Sequence, residues 1–113
     1  MVPVTATATA TRVKPCCSLY HRAVELVGKR WTGAILFVMI DSGPLRFSEI
    51  KARVPELSDR LLSERMKELE SEGIVERRVI ADTPVRVEYA LTDKGHALEP
   101  SVRELKSWAQ DWL

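Results

Sequence analysis

Arg60, Ser63, Glu64 and Lys67 recur at intervals of three and four residues. In a helix of 3.6 residues per turn they share one side. Side chains of this kind can donate to guanine and adenine edges, or accept from cytosine, in a DNA major groove. The opposite side carries Leu62, Met66 and Leu69, the four-and-three stripe of a core-facing surface, with Leu61 beside it. Ser58 is suited to cap the start of this helix through its hydroxyl, and Gly73 to the left-handed position that follows its end. Residues 57–74 therefore anchor one face and offer the other, an arrangement that suits groove insertion. An ordinary surface helix is the competing account, because Glu64, Glu68, Glu70 and Glu72 lie on the same segment.

Cys17 is the second candidate for chemistry. It precedes an expected helix over 18–29, where the dipole favours the reactive thiolate. Oxidation with Cys16, or with the same residue of a second copy, competes with an inert thiol. A disulfide between the adjacent Cys16 and Cys17 would strain the backbone. Cys17 and His21 stand one turn apart, as two metal ligands would, but a closed zinc site needs four donors and only His96 remains beyond carboxylates. No metal site and no cofactor are expected. No nucleophile–base–orienter set, phosphate loop or paired catalytic carboxylates emerge, so an enzyme is not expected.

The whole-chain balance narrows the field further. The 113 residues suit one small domain whose core a partner subunit would help to complete. Net charge is +1, not the footprint of a strongly basic nucleic-acid binder. Residues 1–57 hold eight Lys/Arg against four Asp/Glu, whereas 58–94 hold seven against nine. Any DNA contact must then come from placed arginines rather than from a bulk field. No window approaches the ~20 apolar residues of a membrane span, and the N-terminus lacks the pattern of a signal peptide. Two adjacent cysteines form no disulfide framework, so a reducing cytoplasm is the expected setting.

These residues need elements to position them. Residues 1–15 form a low-complexity tail, expected to be disordered; an edge strand is possible by propensity, and Arg12 and Lys14 could make it an arm along a DNA backbone. Leu19, Ala23, Leu26 and Val27 mark one face of helix 18–29, with Gly28 ending or bending it. Residues 32–41 are apolar nearly all round and belong at the centre. Ser42-Gly43-Pro44 stops them. Residues 45–47 could add a stub strand, and Ser48 is expected to cap a short helix through Arg53. Pro55 ends it about four residues before the next helix, a helix-turn-helix interval. Runs 75–81 and 85–91, joined by Asp82-Thr83-Pro84, alternate as a hairpin with one buried and one wet face. Thr92 caps a last helix, irregular near Gly95 and Pro100, whose seam is Leu98, Val102, Leu105, Ala109 and Trp112 with Trp108 on its flank. Helix, helix, stub, helix, helix, hairpin, helix is the order of a winged helix-turn-helix: mainly α with a small β-hairpin wing, over residues 16–113.

At this point the sequence resembles the HxlR family of bacterial transcriptional regulators, a winged-helix group related in fold to MarR-type proteins. CSLYHRAVELVGKRWT at 17–32 and GPLRFSEI at 43–50 carry the likeness. So do LSDRLLSERMKELESEGIVERRV at 57–79 and TPVRVEYALTDKGHAL at 83–98. One departure is Ser18, where many members have proline after the cysteine. The resemblance implies a homodimer built from the first and last helices on a palindromic or near-palindromic double-stranded DNA operator. Some members look like thiol-based sensors, and the resemblance implies that role, by oxidation, for Cys17 here.

With that resemblance, Arg60, Ser63 and Lys67 are the expected base contacts, with Glu64 accepting from cytosine or tuning specificity. Asp59 would serve the helix dipole. Arg65, at the edge of the stripe, could reach a phosphate or pack over the core. Arg78 and Arg86 are expected to reach phosphate or minor groove from a wing shaped by Thr83 and Pro84; the competing account pairs them with Glu76 and Glu88. Arg46, Ser48 and Ser58 complete the DNA-facing set. Leu19, Tyr20, Leu98, Val102, Leu105, Trp108 and Trp112 are the expected dimer surface. Trp31, Trp108, Trp112 and Tyr20 could also line a pocket for a small-molecule effector between subunits. The alternative function is a winged helix that binds proteins without reading DNA.

Overall fold

The computed structural model describes residues 17–113. The tail over 1–15, its Arg12 and Lys14, and Cys16 lie outside the described residues. The elements are α1 (Ser18–Val27), α2 (Thr32–Ser42), α3 (Phe47–Arg53), α4 (Asp59–Ser71), β1 (Val75–Ile80), β2 (Arg86–Leu91), α5 (Asp93–His96) and α6 (Glu99–Trp112). No described helix is long and apolar enough to cross a membrane.

The near-uniform apolarity of α2 has the expected consequence. Ile35, Leu36 and Met39 are buried in the centre of the protein, and α1, α3, α6 and β2 all pack against this helix. Around them Ile50 and Val54 come from α3 and its end, Leu62, Met66 and Leu69 from α4, and Ile74, Val75 and Leu91 from the base of the hairpin. A core gathered from every quarter of the described chain stabilises through removal of apolar surface from water, at about 25 cal/mol per Å².

Entry into α2 is unusual. Trp31 adopts φ 77, a left-handed conformation that few non-glycine residues take, with the Arg30 guanidinium 5.0 Å from its ring centroid. The exit uses Gly43, also at φ 77, whose N–H donates to the Met39 carbonyl. Leu45 then exchanges two backbone hydrogen bonds with Tyr89, at 3.0 and 2.8 Å. The stub at 45–47 is thus an isolated bridge beside a two-stranded antiparallel sheet.

Two local expectations need correction. The short third helix begins at Phe47, one residue ahead of Ser48, with Arg46 in the N-cap position. Glu49 explains the shift: its carboxylate accepts the Arg46 backbone N–H at 2.8 Å and so closes the first turn without a serine cap. The hairpin also lacks a clean buried face. Its register pairs Val75 with Leu91 through Ile80 with Arg86, and both Ala90 and Leu91 are buried at its base. Toward the tip, Val79 and Val85 are 60% and 62% exposed. Alternation predicts burial only where something covers the face, and the outer half of this ribbon extends past the core.

The expected irregularity before the last helix is present. Thr92 Oγ1 accepts from the Gly95 N–H and donates to the carbonyls of Gly73 and Ile74, tying the start of α5 to the end of α4. Pro100 sits in the first turn of α6, where its missing N–H costs nothing.

Candidate nucleic-acid interface

α4 is held as its sequence requires. Ser58 Oγ accepts from the Leu61 N–H at 3.1 Å, and Gly73 takes φ 73 beyond the last turn. Leu62, Met66 and Leu69 are sealed in the core, so the opposite face is turned outward. Arg60 is 90% exposed and touches only Glu64, at 3.6 Å. Lys67 is exposed and makes no ion pair among the described residues; Ser63 is half-buried between them. With Glu64 half-exposed at 50%, this face presents two cations, a hydroxyl and a carboxylate to anything that approaches it.

Arg65 is placed differently. Its side chain is 12% exposed. Its Nε donates to the Arg30 carbonyl at 3.0 Å, and its Nη1 lies 3.5 Å from the Glu68 carboxylate. Of its two expected roles, these contacts within the protein support packing. Glu68 in turn accepts from Lys29 Nζ at 2.8 Å. That hydrogen bond lowers the Glu68 carboxyl's affinity for its proton, against the opposing effect of burial and with lesser help from the charges of Lys29 and Arg65.

In the wing, the arginines expected to reach DNA are already occupied. Arg78 Nε donates to Glu76 at 2.7 Å. Arg86 lies 3.5 Å from both Asp82 and Glu88, and its Nε, closed off from solvent, has no hydrogen-bond geometry to either. Arg77 was not among the expected contacts, yet it is exposed and has no ion pair among the described residues. Alternation along the strand explains why: Arg78 shares a face with Glu76 two residues away, whereas Arg77 points to the other face and stands across the strands from Tyr89. Sequence alternation with the strand pairing would have found it. Thr83 is exposed at the tip, where its bond to Pro84 is cis. Arg46 and Ser48 are exposed at the start of α3.

Away from α4, α1 and α6 each carry exposed apolar side chains. Leu19 and Tyr20 of α1 and Leu105, Trp108 and Trp112 of α6 are all exposed, the last at 75%. Leu98 and Val102 are half-buried and, with Val27, Leu36 and Phe37, border an open groove of about 480 Å³. Lys106 reaches over the Phe37 ring at 4.7 Å. Cys17 is exposed at the N-cap of α1, its carbonyl accepting from the His21 N–H. Among the described residues no group of three or more His, Cys, Asp or Glu could hold a metal ion.

The arrangement matches known proteins. The HTH-type transcriptional regulator YvaP of Bacillus subtilis (strain 168) is 53% identical over 97 residues, 86% of this chain and 89% of that protein. The reduced form of the transcriptional regulator YodB from B. subtilis superposes with a TM-score of 0.78 at 46% identity, covering 87% of this chain and 95% of that one. Quinone-bound YodB superposes with a TM-score of 0.73 at 44% identity, covering 85% and 99%. Residues 26–113 match the model of the HxlR-like helix-turn-helix. A mainly helical fold with a hairpin wing, an outward-facing α4 and these relatives together place the chain in the HxlR family of winged helix-turn-helix transcriptional regulators.

Proposed function

We propose that this protein is a sequence-specific, double-stranded DNA-binding regulator that acts as a homodimer on a palindromic or near-palindromic operator. The observation that carries the reading is α4 itself, anchored by Leu62, Met66 and Leu69 with the Arg60 tip free in solvent. Arg60, Ser63, Glu64 and Lys67 read bases, while Arg46, Ser48 and Arg77 meet the backbone, Ser58 starts the helix, and Thr83 shapes the wing tip. Arg78 and Arg86 reach phosphate only by leaving their acidic partners. The exposed apolar faces of α1 and α6 join two copies, because a water-soluble monomer gains by covering a surface of this kind. Two α4 helices then enter successive major grooves ~34 Å apart.

Cys17 receives the signal. An exposed thiol at a helix start is supplied with partial positive charge by the first-turn amides. The quinone-bound form of YodB supports an electrophile of that type. The Cys17 sulfur adds to a ring carbon, the thiol proton ends on one ring oxygen, the hydrogen of the attacked carbon shifts to the other, and the product is a hydroquinone thioether. An effector held between subunits without covalent attachment would use the same apolar groove.

Selection of bound genomic DNA by the full chain, with and without a quinone, tests both halves. One recovered palindrome that is lost on quinone treatment, and retained by Cys17→Ser under the same treatment, is the expected result. Failure to recover any specific sequence at low and moderate salt overturns the DNA reading. It would leave a winged helix that binds protein, an account favoured by the four acidic against three basic residues of α4.

A further inference from the structure

α1 is attached to the rest of the protein chiefly at one end. None of its residues is buried, and only Leu26 and Val27, in its last turn, pack on the core. Open hollows of about 410 and 500 Å³ separate it from the C-terminal part of α4 and from α5. Lys29, Glu68 and Glu72 edge the first, and Arg22, Glu25 and Lys94 the second.

Two links cross at the end of α1. Lys29 Nζ donates to Glu68, and Arg65 Nε donates to the carbonyl of Arg30. Arg65 also lies 3.5 Å from the same Glu68 carboxylate, so one acid is shared between a cation of the loop and a cation of α4. Arg65 and Glu68 are three apart on one flank of α4, between its buried stripe and its outward face. Contacts at two heights on that flank resist rotation of α4 about its own axis relative to the loop. Directly beyond Arg30 stands the left-handed Trp31, whose carbonyl accepts from Ile35, so the loop is continuous with the central helix.

We propose that Lys29, Arg65 and Glu68 form a clasp that positions α4 against α1 and thereby sets the separation between the two recognition helices of the dimer. The proposal rests on the reading of the chain as a DNA-binding dimer joined through α1 and α6. None of the three residues touches DNA; they are positioning residues, and they form the path by which a change at the Cys17 end of α1 reaches α4. Lys29 and Glu68 are part-exposed, which makes the link weak enough for a signal to open.

The test uses the full chain with Lys29→Met, Glu68→Gln and the conservative Lys29→Arg. The selected operator is offered with its half-sites moved apart or together by one and two base pairs. Wild type prefers one spacing. Lys29→Met and Glu68→Gln lower that preference about three- to tenfold without loss of dimer or of the cooperative melt, and Lys29→Arg restores it. A second measurement does not require DNA. Spin labels at His21→Cys and Ser71→Cys, in a chain carrying Cys16→Ser and Cys17→Ser and diluted with unlabelled protein, report the α1–α4 distance by pulsed EPR. The distribution broadens in Lys29→Met and Glu68→Gln and narrows again in Lys29→Arg. Unchanged widths, or an unchanged spacing preference, overturn the clasp. Broadened widths together with no specific DNA binding by wild type keep the clasp and overturn the functional reading instead.

Discussion

Replacing Arg60 with alanine should separate DNA recognition from folding. The guanidinium is 90% exposed and its one ion pair, to Glu64 at 3.6 Å, is itself half in water. Exposed i,i+4 pairs contribute about 0.3–0.5 kcal/mol, and alanine's helix preference offsets part of that. For a domain of this size the melting temperature then moves by at most about 4 °C. On DNA the loss is larger: about 1–3 kcal/mol for a bidentate base contact, and a dimer on a palindrome loses it twice. The dissociation constant should rise at least about 30-fold. If Arg60 meets phosphate instead, the weakening is uniform across sequences and the salt slope drops by about one per half-site. Fluorescence anisotropy on the selected duplex at two salt concentrations, beside a thermal melt, reads all of this. Arg65→Ala is the counterpart: its part-exposed links to the Arg30 carbonyl and Glu68 predict a stability loss of about 1 kcal/mol with DNA affinity unchanged. Arg60→Ala protein that binds within twofold of wild type would refute the assignment of α4 as the reading helix.

Gly95→Ala should destabilise the protein by about 3 kcal/mol, seen in urea unfolding, because a Cβ there would lie 2.2 Å from the Ile74 carbonyl oxygen, a backbone atom that cannot swing aside. Leu105→Glu should leave a folded monomer by analytical ultracentrifugation, since Leu105 is 68% exposed and α6 buries no side chain within the protomer; a persistent dimer would remove α6 from the interface. The lowered Glu68 pKa has a definite sign. Its contribution is complete above the ordinary carboxylate range and lost as pH falls through the lowered value; Lys29 and Arg65 face the group, and Lys67 and Glu72 border the same hollow. The stability gap between wild type and Glu68→Gln should therefore narrow in urea titrations as pH falls below the ordinary carboxylate range.

Several features of the molecule were settled within a few residues of chain. Ser58 meets Leu61, Gly73 follows the last turn, and Leu62, Met66 and Leu69 recur every three or four positions. Capping and periodicity act over one or two turns, so α4, its two faces and its place after α3 were legible before any coordinates. The order of elements was legible for the same reason. Tertiary structure alone decided that Arg65 is spent on a carbonyl 35 positions away. Arg78 and Arg86, by contrast, pair with acids two to four positions along the chain, which the sequence already offered, and Arg77 lies on the other face of its strand. Burial of the wing was likewise undecided by alternation, which orients side chains but says nothing about what covers them. Local periodicity assigns a direction to each side chain; only the folded chain brings in the distant atom that occupies it.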